Sequence, residues 1–149
     1  MRRLLVAIVL FAIAYSHAPA VDYIRLSPAE FSEDLVKASE LAAEERFAEA
    51  IPLLEVLVND EPSDADALSL LGYVLRKSGD FRRAEIYYRR ALVQEPEHAA
   101  TNQYLGEMYV ELGRLDDARE RLAVLEATCS ELCPGRDELA AAIAAAVVQ

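Results

Sequence analysis

Residues 65–98 read ADALSLLGYVLRKSGDFRRAEIYYRRALVQEPEH, and residues 99–132 read AATNQYLGEMYVELGRLDDARERLAVLEATCSEL. When the two segments are aligned without gaps, Gly72 and Gly79 each meet a second glycine 34 residues further along the chain, and Ala84 meets an alanine. A fixed period of this length, with small residues at fixed positions, is typical of an array of helix–turn–helix units. The sequence therefore predicts an all-α solenoid.

Each of these small residues has a position that its size explains. Two antiparallel helices cross closely only where their side chains are small, which accounts for Gly72 in the first helix and Ala84 in the second. Gly79 falls in the turn between them, where a left-handed residue ends a helix at little cost. Pro62 and Pro96 fall where the second helix of one unit must end before the next unit begins.

The same positions resemble the tetratricopeptide repeat family. In the segment that begins at Ala65, the residues at the characteristic positions of that family are Leu68, Leu71, Gly72, Leu75, Ala84, Tyr88, Ala91 and Pro96. The resemblance extends over residues 31–132. It implies three repeats, which span residues 31–64, 65–98 and 99–132. In the first of them, Pro52 falls inside the second helix and is expected to kink this helix or to restrict it to its first turns.

Residues 133–149 are predicted to form a capping helix. Pro134 suits the first turn of a helix, and the stretch Leu139–Val148 contains no polar side chain. Solenoids need such a terminal element to cover the last repeat. The outer side of this helix is either a run of small side chains that tolerate solvent, or a surface that docks a second subunit, a partner or a membrane.

The first twenty residues have the pattern of a secretory signal peptide. Arg2 and Arg3 precede an apolar run at 4–15, and the small residues that follow permit cleavage after Ala20. An apolar run of this length is short for a membrane-spanning helix, which needs about 20 residues. We therefore expect export to a bacterial periplasm, with residues 21–30 as a lead-in to the first repeat. An uncleaved segment that anchors the chain in the membrane is the alternative.

The charge balance excludes some classes of function. The chain carries 26 acidic and 15 basic residues, a net charge of −11, so nucleic acid is not an expected partner. The sequence has no glycine-rich phosphate loop and no metalloprotease or serine-hydrolase motif, so we expect neither catalysis nor a cofactor. Residues 76–90 differ from the rest, with six basic side chains against two acidic ones. They form either a solvated outer helix face or a stripe for an acidic partner or anionic lipid.

Cys129 and Cys133 are the only cysteines of the chain. In an oxidising compartment such a pair is expected to form a structural disulfide, here one that pins the loop before the capping helix. Two alternatives remain open from the sequence. The pair could be redox-active, or the two thiolates could hold a soft metal such as copper(I) or zinc together with His98.

The resemblance also implies a binding surface, because tetratricopeptide repeats hold partners on the concave side that their first helices line. The residues of the second and third repeats at those positions include Ser69, Tyr73, Arg76, Lys77, Gln103, Glu107 and Glu111. These side chains suit an extended peptide or a helix held by several modest contacts. The sequence therefore predicts a non-catalytic periplasmic adaptor for a protein or peptide partner. The alternatives are an assembly factor for an envelope complex, as in cytochrome maturation, and a thiol- or copper-handling factor.

Overall fold

Helices alone form the part of the chain that the computed structural model describes, residues 33–130 and 133–147. They are α1 (Glu33–Ala43), α2 (Phe47–Asp60), α3 (Ala65–Lys77), α4 (Phe81–Gln94), α5 (Ala99–Glu111), α6 (Leu115–Thr128) and α7 (Pro134–Val147). The first six pack as three successive pairs, and α7 packs against α5 and α6. The predicted fold class, a solenoid of three helix pairs with a capping helix, is confirmed. The predicted signal peptide (1–20) and lead-in (21–30) lie outside the described residues.

The turns inside the three pairs share one backbone conformation. Gly79 and Gly113 have positive φ angles of 86° and 71°, and Glu45 occupies the equivalent place in the first pair with φ 58°. In each turn, the amide of the next residue donates to a carbonyl five residues earlier, which closes the helix end. The three bonds are Arg46 N to Leu41 O (2.8 Å), Asp80 N to Leu75 O (2.9 Å) and Arg114 N to Tyr109 O (2.7 Å).

Pro52 lies inside α2, which runs without a break through Phe47–Asp60. Proline carries no amide hydrogen, so the helix lacks the bond that residue 52 would donate to the carbonyl of Ala48. The residue is exposed, and Ala50, Leu54 and Val58 on the opposite side are buried against the neighbouring helices. Tertiary packing therefore holds α2 together as one helix despite the proline.

The predicted close crossings are present, and one glycine serves an additional contact. A Cβ atom at Gly72 would lie 2.6 Å from the ring of Tyr88 on α4, so the α3–α4 crossing depends on glycine there. At Gly106 a Cβ atom would lie 3.2 Å from Arg121 Cβ on α6, but only 2.5 Å from Leu139 on α7. Glycine at this position therefore lets Leu139 of the capping helix pack closely against α5 and also allows the close α5–α6 crossing.

A continuous apolar core runs through all three pairs into the capping helix. Its largest fully buried side chains include Leu35, Leu54, Leu71, Tyr88, Leu105, Leu125 and Leu139. Each repeat contributes to the layer that its neighbour completes, which is how a solenoid builds one core from units that cannot fold alone. Among the residues that the structure describes, none of the helices combines the length and apolar character that a membrane crossing requires.

Candidate binding groove

The first helices α3 and α5 lie side by side and form the wall on which the predicted groove residues stand. The rings of Tyr73 on α3 and Tyr104 on α5 are 5.0 Å apart between centroids and tilted by 48°. Arg76 of α3 donates to the backbone carbonyl of Tyr104 at 2.7 Å and to the Glu107 carboxylate at 2.8 Å. A second carboxylate, that of Glu111, lies 3.6 Å from the same guanidinium. Arg76 therefore ties α3 to α5.

Gln103 continues this polar contact from α5 to the capping helix. Its side-chain amide donates to Glu107 at 3.0 Å and to Glu138 of α7 at 2.6 Å. The backbone of α7 approaches closely here, because a Cβ atom at Gly135 would lie only 2.3 Å from the Gln103 side chain. Burial, together with the nearby Glu107 carboxylate, raises the pKa of Glu138 despite the hydrogen bond from Gln103.

The predicted groove residues differ in how much of them solvent reaches. Lys77 and Glu111 are exposed, and Glu107 is partly exposed. The remaining predicted residues are buried, and they are Ser69, Tyr73, Arg76 and Gln103. The buried members hold the wall in one arrangement, and the exposed members form its accessible surface. That this surface binds a partner stays a prediction.

One corner of the wall contains a small cavity between α1, α3 and α5. Its polar lining consists of Asp66, Ser69, His98 and Tyr104, and its volume is about 20 Å³. The hydroxyl oxygens of Ser69 and Tyr104 are buried and have no hydrogen-bond partner within the described structure. Native proteins contain few such groups, so each one calls for a physical explanation.

His98 serves as the N-cap of α5 at the edge of this cavity. Its Nδ1 accepts the backbone amide of Thr101 at 3.2 Å, so the ring proton lies on Nε2 in the neutral form. Nε2 is 3.0 Å from Asp66 Oδ1 and donates to it. His98 is therefore engaged in structural contacts on both ring nitrogens.

The sulfur atoms of Cys129 and Cys133 lie within disulfide-bonding distance, with their Cα atoms 5.8 Å apart. Cys133 is buried, and its carbonyl accepts the backbone amides of Arg136 and Asp137 in the first turn of α7. Across the described ranges 33–130 and 133–147, no three His, Cys, Asp or Glu side chains are grouped to hold a metal ion. The structure thus does not bring His98 together with the two cysteines.

Most arginines of the basic segment 76–90 have acidic partners. Arg83 pairs with Glu55 of α2, and Arg89 pairs with Glu85 at 2.8 Å. Glu85 also accepts from Tyr109 and Arg114 of the next repeat; these hydrogen bonds outweigh the effect of burial and lower the pKa of Glu85. This pairing favours the solvated outer face over a stripe for an acidic partner.

Two residues that contact the predicted groove residues, Tyr104 and Glu138, were not predicted from the sequence. Tyr104 is one position from the predicted groove residue Gln103, and Glu138 lies on the capping helix, so neither belongs to the groove positions that the family resemblance implies. The sequence gives one indication of a role for Glu138. Like its neighbour Asp137, it is an acidic residue near the start of a helix, where the positive end of the helix dipole favours negative charge. Its contact with Gln103 depends on how closely α7 packs on α5, which repeat spacing does not give.

Stacked helix pairs with a shared core define a helical-repeat protein. Comparison with known families identifies the family of helical repeats to which the chain belongs. Two family models, both described as tetratricopeptide repeat, match residues 35–92 and 75–128. The chain belongs to the tetratricopeptide repeat family.

Solved structures with the same fold include a bacterial secretion chaperone. The type III secretion translocator chaperone SycD of Yersinia enterocolitica superimposes with a TM-score of 0.70 at 16% identity, over 83% of this chain and 87% of that one. A second structure, SycD in complex with a peptide of the translocator YopD, gives a TM-score of 0.65 at 16% identity, over 77% of this chain and 87% of that one. No match was found among curated proteins. At this level of identity the likeness establishes the fold.

Proposed function

We propose that this protein is a non-catalytic adaptor that binds a segment of a protein partner in the groove formed by α1, α3 and α5. The observation that carries the proposal is the fixed wall of the groove. Arg76 and Gln103 are buried and bonded to neighbouring helices, so the partner does not have to order them on binding. Preorganised surfaces of this kind lose less conformational entropy when they bind.

The family and its structural relatives support the same proposal. Tetratricopeptide repeats build extended concave surfaces from stacked helix pairs. The SycD complex holds a translocator peptide, and its fold covers more than three quarters of this chain. The exposed charges of Lys77 and Glu111, together with the partly exposed Glu107, offer both signs of charge to a bound segment.

We further propose that the adaptor works outside the cytoplasm, in the periplasm of a bacterium. Two features support this location. The N-terminal pattern at 1–20 is that of an exported protein, and the two cysteines of the chain lie close enough to form a disulfide. Export followed by retention of the N-terminal segment in the membrane would place the same groove at the membrane surface.

A charge-exchange experiment tests the groove. The protein is purified after export to the periplasm of a bacterial host and screened against a displayed library of twelve-residue peptides. The variant Lys77→Glu with Glu111→Lys leaves the net charge unchanged but reverses both exposed groove charges. We expect selected peptides to bind this variant roughly 10-fold more weakly.

The matched control is Arg82→Glu with Glu126→Lys, which exchanges the same kinds of charge on exposed second-helix positions. We expect the control to bind within about twofold of the unaltered protein, since charges away from a contact surface contribute little. Equal weakening by both variants, with helix content intact by circular dichroism, would show that the groove is not the binding surface. Failure to select any peptide would count against the adaptor function itself.

A further inference from the structure

We propose that the cavity between α1, α3 and α5 is a subsite for a lysine side chain of the bound segment. The inference rests on the proposed function, because it names a chemical group that the groove selects. It starts from two buried hydroxyls. Ser69 is 3% exposed and Tyr104 is 1% exposed, and neither hydroxyl has a partner within the described structure. Burying such groups without hydrogen bonds is unfavourable, so a ligand that supplies the bonds is favoured there.

The charge of the cavity points to a cation. Its charged group is the Asp66 carboxylate, whose side chain is 37% exposed and so reachable from the groove. In the arrangement described above, Nδ1 of His98 accepts a backbone amide while Nε2 donates to Asp66 Oδ1. Within the described residues no hydrogen bond reaches Asp66 Oδ2. One negative charge and one carboxylate oxygen are therefore left for a ligand.

The size of the cavity distinguishes among cations. Its volume of about 20 Å³ suits one group of the size of a water molecule. An ammonium is a compact charge with three donors, and three of the residues that line the cavity carry oxygen acceptors, Asp66, Ser69 and Tyr104. A guanidinium is a larger planar group whose five donors require a wider site.

The apolar part of the lining suits the rest of a lysine side chain. Leu35, Leu70 and Ala100 line the cavity beside the polar groups. Lysine places its methylene groups along apolar surfaces while its ammonium reaches polar partners. The charge, the size and the apolar lining of the cavity therefore all favour a lysine side chain.

Three small probes test the subsite directly. N-acetyl-lysine methylamide, its arginine analogue and its norleucine analogue are titrated separately into the exported, isotope-labelled protein, and amide shifts are followed by NMR. We expect the lysine probe to shift the resonances of residues around Asp66 and Thr101 in a saturable way. Its dissociation constant should be about 10-fold lower than that of the norleucine probe, or lower still. Arginine should bind more weakly than lysine. Equal binding of lysine and norleucine, or no saturable shift with lysine, would overturn the proposal.

Variants separate charge from shape. Asp66→Asn keeps the size of the side chain and the acceptor for His98 but removes the charge, and it should weaken the lysine probe about 10-fold. Glu126→Gln, which removes one exposed negative charge on the second helix α6, away from the groove, is the matched control and should change binding less than about twofold. Similar losses in both variants would mean that general attraction to an acidic surface, and not the subsite, holds the probe.

The failure of the subsite can be told apart from the failure of the adaptor function. Peptides selected on the groove are resynthesised with each lysine replaced by norleucine. If the peptides bind equally well after every replacement, the subsite is wrong and the adaptor function stands. If no peptide is selected but the lysine probe still binds at Asp66, the subsite stands and peptide capture is wrong.

Discussion

At the scale of the residue, the three helix-pair turns have the same hydrogen bond but not the same amino acid. Gly79 and Gly113 adopt positive φ without a steric penalty, whereas Glu45 carries a side chain in that conformation. The left-handed region costs a side-chain-bearing residue about 1 kcal/mol or more. The first turn therefore contains local strain that the other two do not.

Exchanging these residues should change stability in opposite directions. We expect Glu45→Gly to raise the free energy of unfolding by up to about 1 kcal/mol, because relief of the left-handed strain exceeds the extra entropy of glycine in the unfolded chain. Gly79→Ala should lower it by about 1 kcal/mol, since a Cβ atom would be forced into the same region. Urea denaturation followed by circular dichroism measures both. A loss of stability in Glu45→Gly would mean that the glutamate makes contacts that outweigh its strain.

Arg76 is the residue whose burial has the largest expected energetic consequence. Its side chain is 6% exposed and bonded to the Tyr104 carbonyl and to Glu107. We expect Arg76→Ala to lower the free energy of unfolding by about 3 kcal/mol, because the Glu107 carboxylate would lose its partner in a partly buried place. The double variant with Glu107→Ala should recover part of that loss, and the double-mutant cycle measures the coupling. Strictly additive losses would show that the pair contributes no interaction energy.

At the scale of the element, sequence reasoning succeeded where contacts are local and repeat every 34 residues. The turn at Gly79 and the crossing at Gly72 follow from backbone conformation and side-chain size, which the residue type alone indicates. The seat of Leu139 on Gly106 and the bond from Gln103 to Glu138 were missed, because they depend on the lateral placement of α7 against α5. Pro52 illustrates a partial error: one expected outcome was that proline restricts the helix to its first turns, but α2 continues to Asp60.

The Cys129–Cys133 pair lies directly before the capping helix, so we expect reduction of a disulfide there to affect α7 selectively. Closing so short a loop is worth about 2 kcal/mol. We expect thiol titration of the exported protein under denaturing conditions to find no free sulfhydryl. After reduction with dithiothreitol, amide exchange in α7 should become roughly 30-fold faster while exchange in α3 is unchanged.

The control for this prediction is Cys129→Ser with Cys133→Ser, whose α7 should exchange at the faster rate with or without reductant. Two free, reactive sulfhydryls in the native protein would instead favour the redox or metal-binding alternative. Faster exchange throughout the chain on reduction would show that the disulfide stabilises the whole solenoid and not α7 alone.

At the scale of the whole molecule, two carboxylates that contact the third repeat from its two neighbours, Glu85 on α4 and Glu138 on α7, respond to pH in opposite ways. The pKa of Glu138 is raised above its ordinary value of 4.5 by burial and by Glu107. Protonated Glu138 therefore stabilises the folded protein relative to the unfolded chain, and this contribution is lost as pH rises through the raised pKa. The pKa of Glu85 is lowered below 4.5 because hydrogen bonds from Arg89, Tyr109 and Arg114 outweigh burial. Its contribution is present at neutral pH and is lost as pH falls through the lowered pKa.

Two neutral variants separate these contributions. At pH 7, Glu138→Gln should raise the free energy of unfolding by a fraction of a kcal/mol, on the order of 0.5, since it removes a partly buried charge beside Glu107. Glu85→Gln should lower it by about 1–2 kcal/mol, because the three donors lose a charged acceptor. Near pH 4, the difference between the unaltered protein and Glu138→Gln should shrink toward zero, because the raised pKa leaves Glu138 mostly protonated there. The Glu85→Gln difference should shrink less, because the lowered pKa of Glu85 keeps more of that carboxylate ionised at the same pH. Urea unfolding measures the free-energy difference between each variant and the unaltered protein at both pH values. A Glu138→Gln effect that is as large at pH 4 as at pH 7 would mean that the shape of this side chain, and not its charge, determines how α7 packs on the solenoid.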